Sequence, residues 1–96
     1  MDSQPQQTIL IADDEPLARQ RIRRLLEDLP GYRVCGEATD GHDTLHKIAE
    51  LEPDILLLDI RMPGMDGMQA AGQISQLDNP PAVIVCTAYD HVAIQA

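Results

Sequence analysis

Short apolar runs alternate along this chain with segments in which apolar residues recur at helical spacing. The apolar runs predict four strands, at Thr8–Ala12, Tyr32–Ala38, Ile55–Leu58 and Ala82–Cys86. Between the strands, apolar residues at steps of three and four predict amphipathic helices that start at Pro16, after Asp40–Gly41 and near Met68. Strands that alternate with helices imply right-handed crossovers. We therefore expect an α/β fold with a doubly wound parallel sheet.

Turn residues and apolar spacing predict where the first and third helices stop. Pro30–Gly31 should close the first helix after Leu29, and the apolar spacing carries the third helix to Leu77. Tyr32–Ala38 alternates only loosely, as an edge strand does, whereas Ile55–Leu58 is continuously apolar and should be covered on both faces.

Composition limits the chain to one domain with an aliphatic core. It has 96 residues, 44% of them hydrophobic, and its aromatic residues are Tyr32 and Tyr89 alone. Residues 1–7 lack a signal-peptide pattern and are expected to form a flexible N-terminal tail. Cys35 and Cys86 are too few for a disulfide framework, so both should be reduced.

Net charge excludes one class of partner. Sixteen acidic against seven basic residues give a formal charge of -9, whereas binding to a phosphate backbone needs a basic surface. The longest apolar run is far shorter than a membrane span. We expect no direct nucleic-acid binding, no membrane partner and a cytoplasmic location.

Polar residues follow three of the predicted strands. Asp13 and Asp14 come after the first, Asp59 after the third and Thr87 after the fourth. The carboxyl ends of parallel strands meet at one edge of the sheet, where ligand sites form. Clustered carboxylates repel one another unless a cation is present, and Mg²⁺ prefers oxygen ligands. An aspartate in such a site can also be a nucleophile toward phosphorus.

Structural interpretations compete with each of these functional ones. Asp13 and Asp14 could simply cap a helix, although capping does not explain Asp59 after a buried strand. His42 and His46 have a zinc-like spacing but no evident third ligand, so a surface helix face is the better account. The arginines of the first helix could dock a partner or could form ion pairs with Glu27 and Asp28.

Three segments, ILIADDEP, DILLLDIRMPGMDG and VIVCTAYD, resemble in order the motifs of response-regulator receiver domains. The resemblance covers nearly all of the chain from Thr8, and it is closest to receivers that carry LytTR-type DNA-binding output domains. It implies a flavodoxin-like fold in which the strands present here have the order 2-1-3-4.

The resemblance also implies the roles of individual residues and partners. Asp59 would accept a phosphoryl group from a sensor histidine kinase, and Thr87 would hydrogen-bond a phosphoryl oxygen. Mg²⁺ would be bound directly by Asp14, Asp59 and the backbone carbonyl of Arg61, and by Asp13 mainly through water. The signal would pass to the protein's own C-terminal output domain.

The sequence departs from the family pattern at its C-terminal end. The family's fifth strand, with its lysine, and its fifth helix have no counterpart here, and Lys47 lies in the second helix. Residues 8–96 are therefore expected to be a receiver without its last βα unit, with weak Mg²⁺ binding and impaired phosphorylation. The exposed edge of the fourth strand would favour self-association.

Two other functions are compatible with the sequence. The chain could be a phosphorylation-incompetent interaction module, because the lysine is missing. It could also be a Mg²⁺-dependent phosphatase that uses an aspartyl nucleophile, but such enzymes carry a second aspartate where this chain has Arg61. We therefore expect a regulatory phosphoacceptor rather than an enzyme.

Overall fold

The computed structural model describes residues 6–59 and 67–86. Strands and helices alternate in it, as the hydrophobic pattern predicts. The strands are β1 (Gln7–Ala12), β2 (Tyr32–Ala38), β3 (Ile55–Asp59) and β4 (Ala82–Cys86). The helices are α1 (Pro16–Glu27), α2 (Gly41–Leu51) and α3 (Gly67–Ile74).

All pairings in the sheet are parallel, and the strand order is β2-β1-β3-β4. This confirms the predicted α/β fold with a doubly wound parallel sheet. β1 lies at the centre and pairs with both β2 and β3, so its carboxyl end is flanked by theirs. At the other end of the sheet, where the strands begin, the side chain of Asp54 accepts hydrogen bonds from the backbone N–H and the hydroxyl of Thr8, which ties β1 to the start of β3.

The main core lies on one face of the sheet. Alternate residues of β1 and β3 point to this face and pack against Ile48 of α2 and Ile74 of α3. The strand residues of this cluster are Leu10, Ala12, Ala38, Leu56 and Leu58, all at most 1% exposed. The core is therefore aliphatic, as the composition predicts.

α1 buries less of its predicted apolar face than its spacing suggests. Ala18, Ile22 and Leu26, at steps of four, are partly buried, and no residue of the helix is fully buried. Leu17 and Leu25 are 75% and 63% exposed. The helix thus faces the sheet with the single row of Ala18, Ile22 and Leu26. The apolar residues beside this row, Leu17 and Leu25, are not covered by any described part of the chain.

The ends of four elements differ slightly from the prediction, and one of them is β3, which extends past Leu58 to Asp59. α1 ends at Glu27 because the next turn tightens, with the backbone N–H of Leu29 donating to Leu26 O at 3.0 Å. α3 ends at Ile74 for the same reason, since Leu77 N–H donates to Ile74 O. β1 begins one residue early because Gln7 N–H donates to Gly31 O.

Three other predictions concern the tail, the thiols and the membrane. Residues 1–5 of the predicted tail lie outside the described residues. β1 and β3 separate the strands that carry Cys35 and Cys86, and Cys35 is a free thiol. No helix in the described ranges is long and apolar enough to cross a membrane.

Candidate functional site

Asp59 is the last residue of β3, a strand in which partly buried and fully buried residues alternate up to Leu58. Leu56 and Leu58 in β3 are 0% exposed, and Asp59 itself is 5% exposed. A carboxyl group at the end of such a strand has a fixed position, because the apolar residues before it cannot shift without losing their packing. β3 thus delivers one buried carboxyl group to the carboxyl edge of the sheet.

The register of the sheet brings two more carboxylates to the same place. Ala12 pairs with Leu58, so Asp13 and Asp14 follow β1 at the level where Asp59 ends β3. A carboxylate oxygen from each of the three aspartates lies within 4.8 Å of the others. Asp13 is partly buried and Asp14 is exposed. Among the described residues, these three form the group that could hold a metal ion.

The electrostatics of the cluster disfavour the charge of Asp13. Burial raises the pKa of its carboxyl above the ordinary value of 3.8. A hydrogen bond from Glu15 N–H, at 2.9 Å from Asp13 Oδ1, opposes this rise, while the charges of Asp59 and Asp14 add to it. Like charges held this close are destabilising unless a cation compensates them.

Helix capping does not account for the aspartates at the start of α1. The N-cap residue is Glu15, whose backbone is extended, and its side chain makes no capping hydrogen bond. Asp13 instead holds the turn before the helix, through Glu15 N–H. The capping alternative is therefore wrong as an explanation of why Asp13 and Asp14 both precede α1.

Arg19 and Glu37 support the site, and sequence reasoning missed their role. Arg19 Nε donates to Glu37 Oε1 at 2.8 Å, and Arg19 Nη1 donates to the backbone carbonyl of Asp13 at 2.8 Å. Arg23 Nε donates to Glu37 Oε2 at 2.7 Å. The alternative in which the arginines of this helix pair with Glu27 and Asp28 is thus wrong for Arg19 and Arg23, which pair with Glu37. The signal in the sequence was Glu37, the single acidic residue of β2, together with Arg19 and Arg23, which are four residues apart on one helix and could both pair with it.

Two predicted site residues cannot be placed. Arg61, with its proposed carbonyl ligand, and Thr87 lie outside the described residues. The backbone pairing of Asp59 with Cys86 shows that β4 ends beside β3, and Thr87 is the next residue in the chain.

The donor set of the cluster fits a hard divalent cation. Each aspartate offers a carboxylate oxygen, and Mg²⁺ is commonly bound through one or two carboxylates together with water. Burial first, and then the charges of Asp59 and Asp14, raise the pKa of the Asp13 carboxyl, and a bound divalent cation would favour its charged form. His42 and His46 do not belong to this group.

Comparison with known proteins identifies the family. The family model described as response regulator receiver domain matches residues 9–96. The positive alginate biosynthesis regulatory protein of Pseudomonas aeruginosa is 54% identical over 89 residues, which cover 92% of this chain and 36% of that protein. The sensory transduction protein LytT of Bacillus cereus is 39% identical over 88 residues, which cover 92% of this chain and 36% of the relative.

A solved structure agrees with the sequence relatives. The signal receiver domain of the response regulator NarL from Mycobacterium tuberculosis matches with a TM-score of 0.83 and 38% identity, covering 94% of this chain and 73% of that one. The chain spans about a third of the length of these two relatives. The family match over residues 9–96, the parallel sheet and the strand-end carboxylates agree, and the chain belongs to the response regulator receiver domains.

Proposed function

We propose that this domain is a phosphoacceptor, in which Asp59 receives a phosphoryl group from a phosphohistidine of a sensor histidine kinase. The observation that carries the proposal is the convergence of three carboxylates around the buried end of β3. Of the three, only Asp59 lies within a strand, and it is 5% exposed, whereas Asp13 is partly buried and Asp14 is exposed, so Asp59 has the most rigid position. A nucleophile held in place needs less ordering before it reacts.

The chemistry is a transfer between two protein side chains. An Asp59 carboxylate oxygen forms a bond to phosphorus while the bond from phosphorus to the histidine nitrogen breaks, and that nitrogen keeps the electron pair. Asp13, Asp14, Asp59 and the backbone carbonyl of Arg61 would hold Mg²⁺, which supplies positive charge opposite the phosphoryl oxygens. The hydroxyl of Thr87 would donate a hydrogen bond to one of those oxygens. The domain is thus a regulatory acceptor that is modified once, rather than an enzyme that turns over.

The partners follow from the same assignment. The receiver unit predicted over residues 8–96 would also include Gln7, which begins β1, in a cytoplasmic protein. The alginate regulator and LytT are both longer than the matched segment, which supports an output domain in the protein to which this receiver belongs. We assign that output domain to the LytTR type. The charge of -9 argues that DNA contacts belong to the output domain and not to the receiver.

The test is phosphorylation by a small-molecule donor. The chain would be incubated with acetyl phosphate and millimolar Mg²⁺ and then analysed by intact-protein mass spectrometry. We expect one added phosphoryl group that is lost with Asp59→Asn, with chelation of Mg²⁺ and with alkaline treatment, which hydrolyses acyl phosphates. Glu50→Gln is the matched control, because it removes one exposed carboxylate that lies outside the cluster.

The outcomes separate the competing functions. A wild-type chain that gains no phosphoryl group would favour an interaction module. Continuous release of phosphate, without accumulation of the adduct, would instead favour a phosphatase. A slow but Asp59-dependent adduct supports the phosphoacceptor even if the rate is low.

A further inference from the structure

Arg19 connects the acidic cluster to the neighbouring strand. Its guanidinium contacts two acceptors at once: Nη1 donates to the carbonyl oxygen of Asp13 and Nε to Glu37 Oε1, each at 2.8 Å. The Arg19 side chain is only 16% exposed, whereas that of Arg23, which shares the same glutamate, is 41% exposed. Arg19 therefore makes a partly buried contact to the turn that carries two of the three carboxylates.

Glu37 is itself a fixed anchor. Lys47 Nζ, from α2, donates to its backbone carbonyl at 2.6 Å, and both arginines hold its side chain. The next residue of β2, Ala38, accepts a hydrogen bond from Asp13 N–H at 3.0 Å. The end of β2 thus holds the Asp13 backbone in two ways, directly through Ala38 and indirectly through Glu37 and Arg19.

We propose that Arg19 is a positioning residue for the acidic cluster: anchored by Glu37, it fixes the carbonyl of Asp13 and with it the β1–α1 turn. The same turn is also held by Asp13, whose N–H donates to Ala38 O and whose Oδ1 accepts from Glu15 N–H, but the N-cap residue Glu15 adds no side-chain capping bond. The peptide group between Asp13 and Asp14 includes this carbonyl, so its orientation sets where the Asp14 carboxylate points. The consequence for cation binding rests on the function proposed above.

If Arg19 positions the cluster, replacing it should weaken the binding of a divalent cation; if Arg19 acts only through its charge, replacing it should strengthen that binding. Removing a positive charge near an acidic cluster should by itself strengthen the binding of a divalent cation. Removing a group that orients metal ligands weakens binding, typically by 10- to 100-fold. A comparison of Arg19→Met with Arg23→Met separates the two effects, because each variant deletes one cation that pairs with Glu37 and only Arg19 contacts the Asp13 carbonyl.

The first measurement uses the chain without any metal. Hydrogen exchange followed by NMR reports on the Asp13 amide, which donates to Ala38 O. We expect Arg19→Met to speed its exchange about tenfold relative to Arg23→Met, while the amides of β3 exchange equally in both. Equal exchange of the Asp13 amide in the two variants would overturn the proposal, whatever the chain does with Mg²⁺.

The second measurement is the Mg²⁺ dissociation constant by calorimetric titration. We expect about a tenfold increase for Arg19→Met, and no increase for Arg23→Met. Arg19→Lys keeps the charge but cannot reproduce the two-pronged contact, so it should weaken Mg²⁺ binding in the same direction; it serves if the methionine variant does not fold. Binding by Arg19→Met and Arg19→Lys as tight as by Arg23→Met would contradict the proposal. Failure of the wild type to bind Mg²⁺ would instead contradict the proposed function and leave the exchange result to decide the role of Arg19.

Discussion

Asp13 and Asp59 are held with carboxylate oxygens within 4.8 Å of each other by the pairing of β1 with β3. The sheet imposes this proximity, because Ala12 and Leu58 are register partners with buried side chains. Apolar packing thus brings two like charges together, because the free energy gained by burying the apolar side chains exceeds the free energy lost to the repulsion. Burial and this repulsion together raise the pKa of the Asp13 carboxyl, so its charged form carries a free-energy cost.

Neutralising Asp13 should relieve that cost and remove part of the cation site. Asp13→Asn keeps an oxygen that can accept from Glu15 N–H, so the turn is retained. We expect the metal-free variant to be more stable than the wild type at neutral pH by up to about 1 kcal/mol, a modest gain because solvent screens the partly exposed carboxylate. Urea unfolding without Mg²⁺ measures this difference.

Mg²⁺ should reverse the order of stability of the same two proteins. A ligand present at about 100 times its dissociation constant stabilises the folded state by about 2.7 kcal/mol. We expect this gain in the wild type and in Glu50→Gln, and a clearly smaller gain in Asp13→Asn. Equal Mg²⁺-induced shifts of the melting temperature in all three proteins would argue against a cation site at Asp13.

The Glu37 ion pairs should contribute stability that is lost in acid. Hydrogen bonding by Arg23 lowers the pKa of the Glu37 carboxyl below its ordinary value of 4.5, Arg19 lowers it further, and burial opposes both. A lowered pKa in the folded state means that the stabilisation is complete above about pH 4.5, the unfolded value, and disappears as the pH falls through the folded value. Glu37→Gln should therefore be less stable than the wild type at pH 7, by about 0.5–1 kcal/mol.

The difference between the two proteins should shrink as Glu37 becomes protonated. Urea midpoints for the wild type and Glu37→Gln, taken from pH 7 down to below the lowered pKa, measure it. Comparison of this pair cancels the titration of the other carboxyl groups. A difference that stays constant over the whole range would show that the ion pairs add nothing to stability.

Replacing glycine by alanine should have opposite effects on the stability of the fold at Gly31 and at Gly72. Gly31 has φ +91°, a conformation that L side chains rarely adopt, whereas Gly72 lies inside α3, where a β-carbon would meet only open space. Gly31→Ala should cost about 1 kcal/mol, and Gly72→Ala should stabilise by about 0.5–1 kcal/mol because alanine favours the helix. Thermal unfolding of the two variants beside the wild type gives both signs, and a stabilising Gly31→Ala would be inconsistent with a left-handed backbone at this position.

Most of the fold could be predicted because its signals are local and strong. β3 is a run of apolar residues bounded by turn residues, and α2 begins at Gly41, directly after the N-cap residue Asp40, whose side chain accepts a hydrogen bond from Asp43 N–H. The extent to which α1 is buried could not be predicted from its sequence, because Leu17 and Leu25 belong to the same three- and four-residue pattern as Ile22 and Leu26 but are 75% and 63% exposed. Periodicity shows which residues could face a core and not how wide the contact is.

The candidate site was predictable only in part, for a similar reason. Asp13, Asp14 and Asp59 each follow an apolar strand, so their meeting follows from the parallel sheet alone. The contact of Arg19 with Asp13 and Glu37 depends on how α1 packs beside β2, which no spacing in the sequence specifies. The partners of long side chains such as Arg19 can be identified only from the three-dimensional structure.

The edge formed by β4 should make the chain self-associate. Among the described strands, β2 and β4 are the two edges of the sheet. β2 carries Arg33 and Glu37, and charges on an edge strand discourage pairing, but β4 has the uncharged sequence AVIVC. Ile84 on β4 is 41% exposed.

We expect sedimentation velocity to show a larger species whose share grows between micromolar and millimolar concentrations, and we expect Ile84→Lys to suppress it. Gln73→Lys adds the same charge at an exposed position of α3 and should leave association unchanged. A wild type that sediments as a monomer over the whole range would contradict this prediction, because an uncharged apolar edge would then lack its expected consequence.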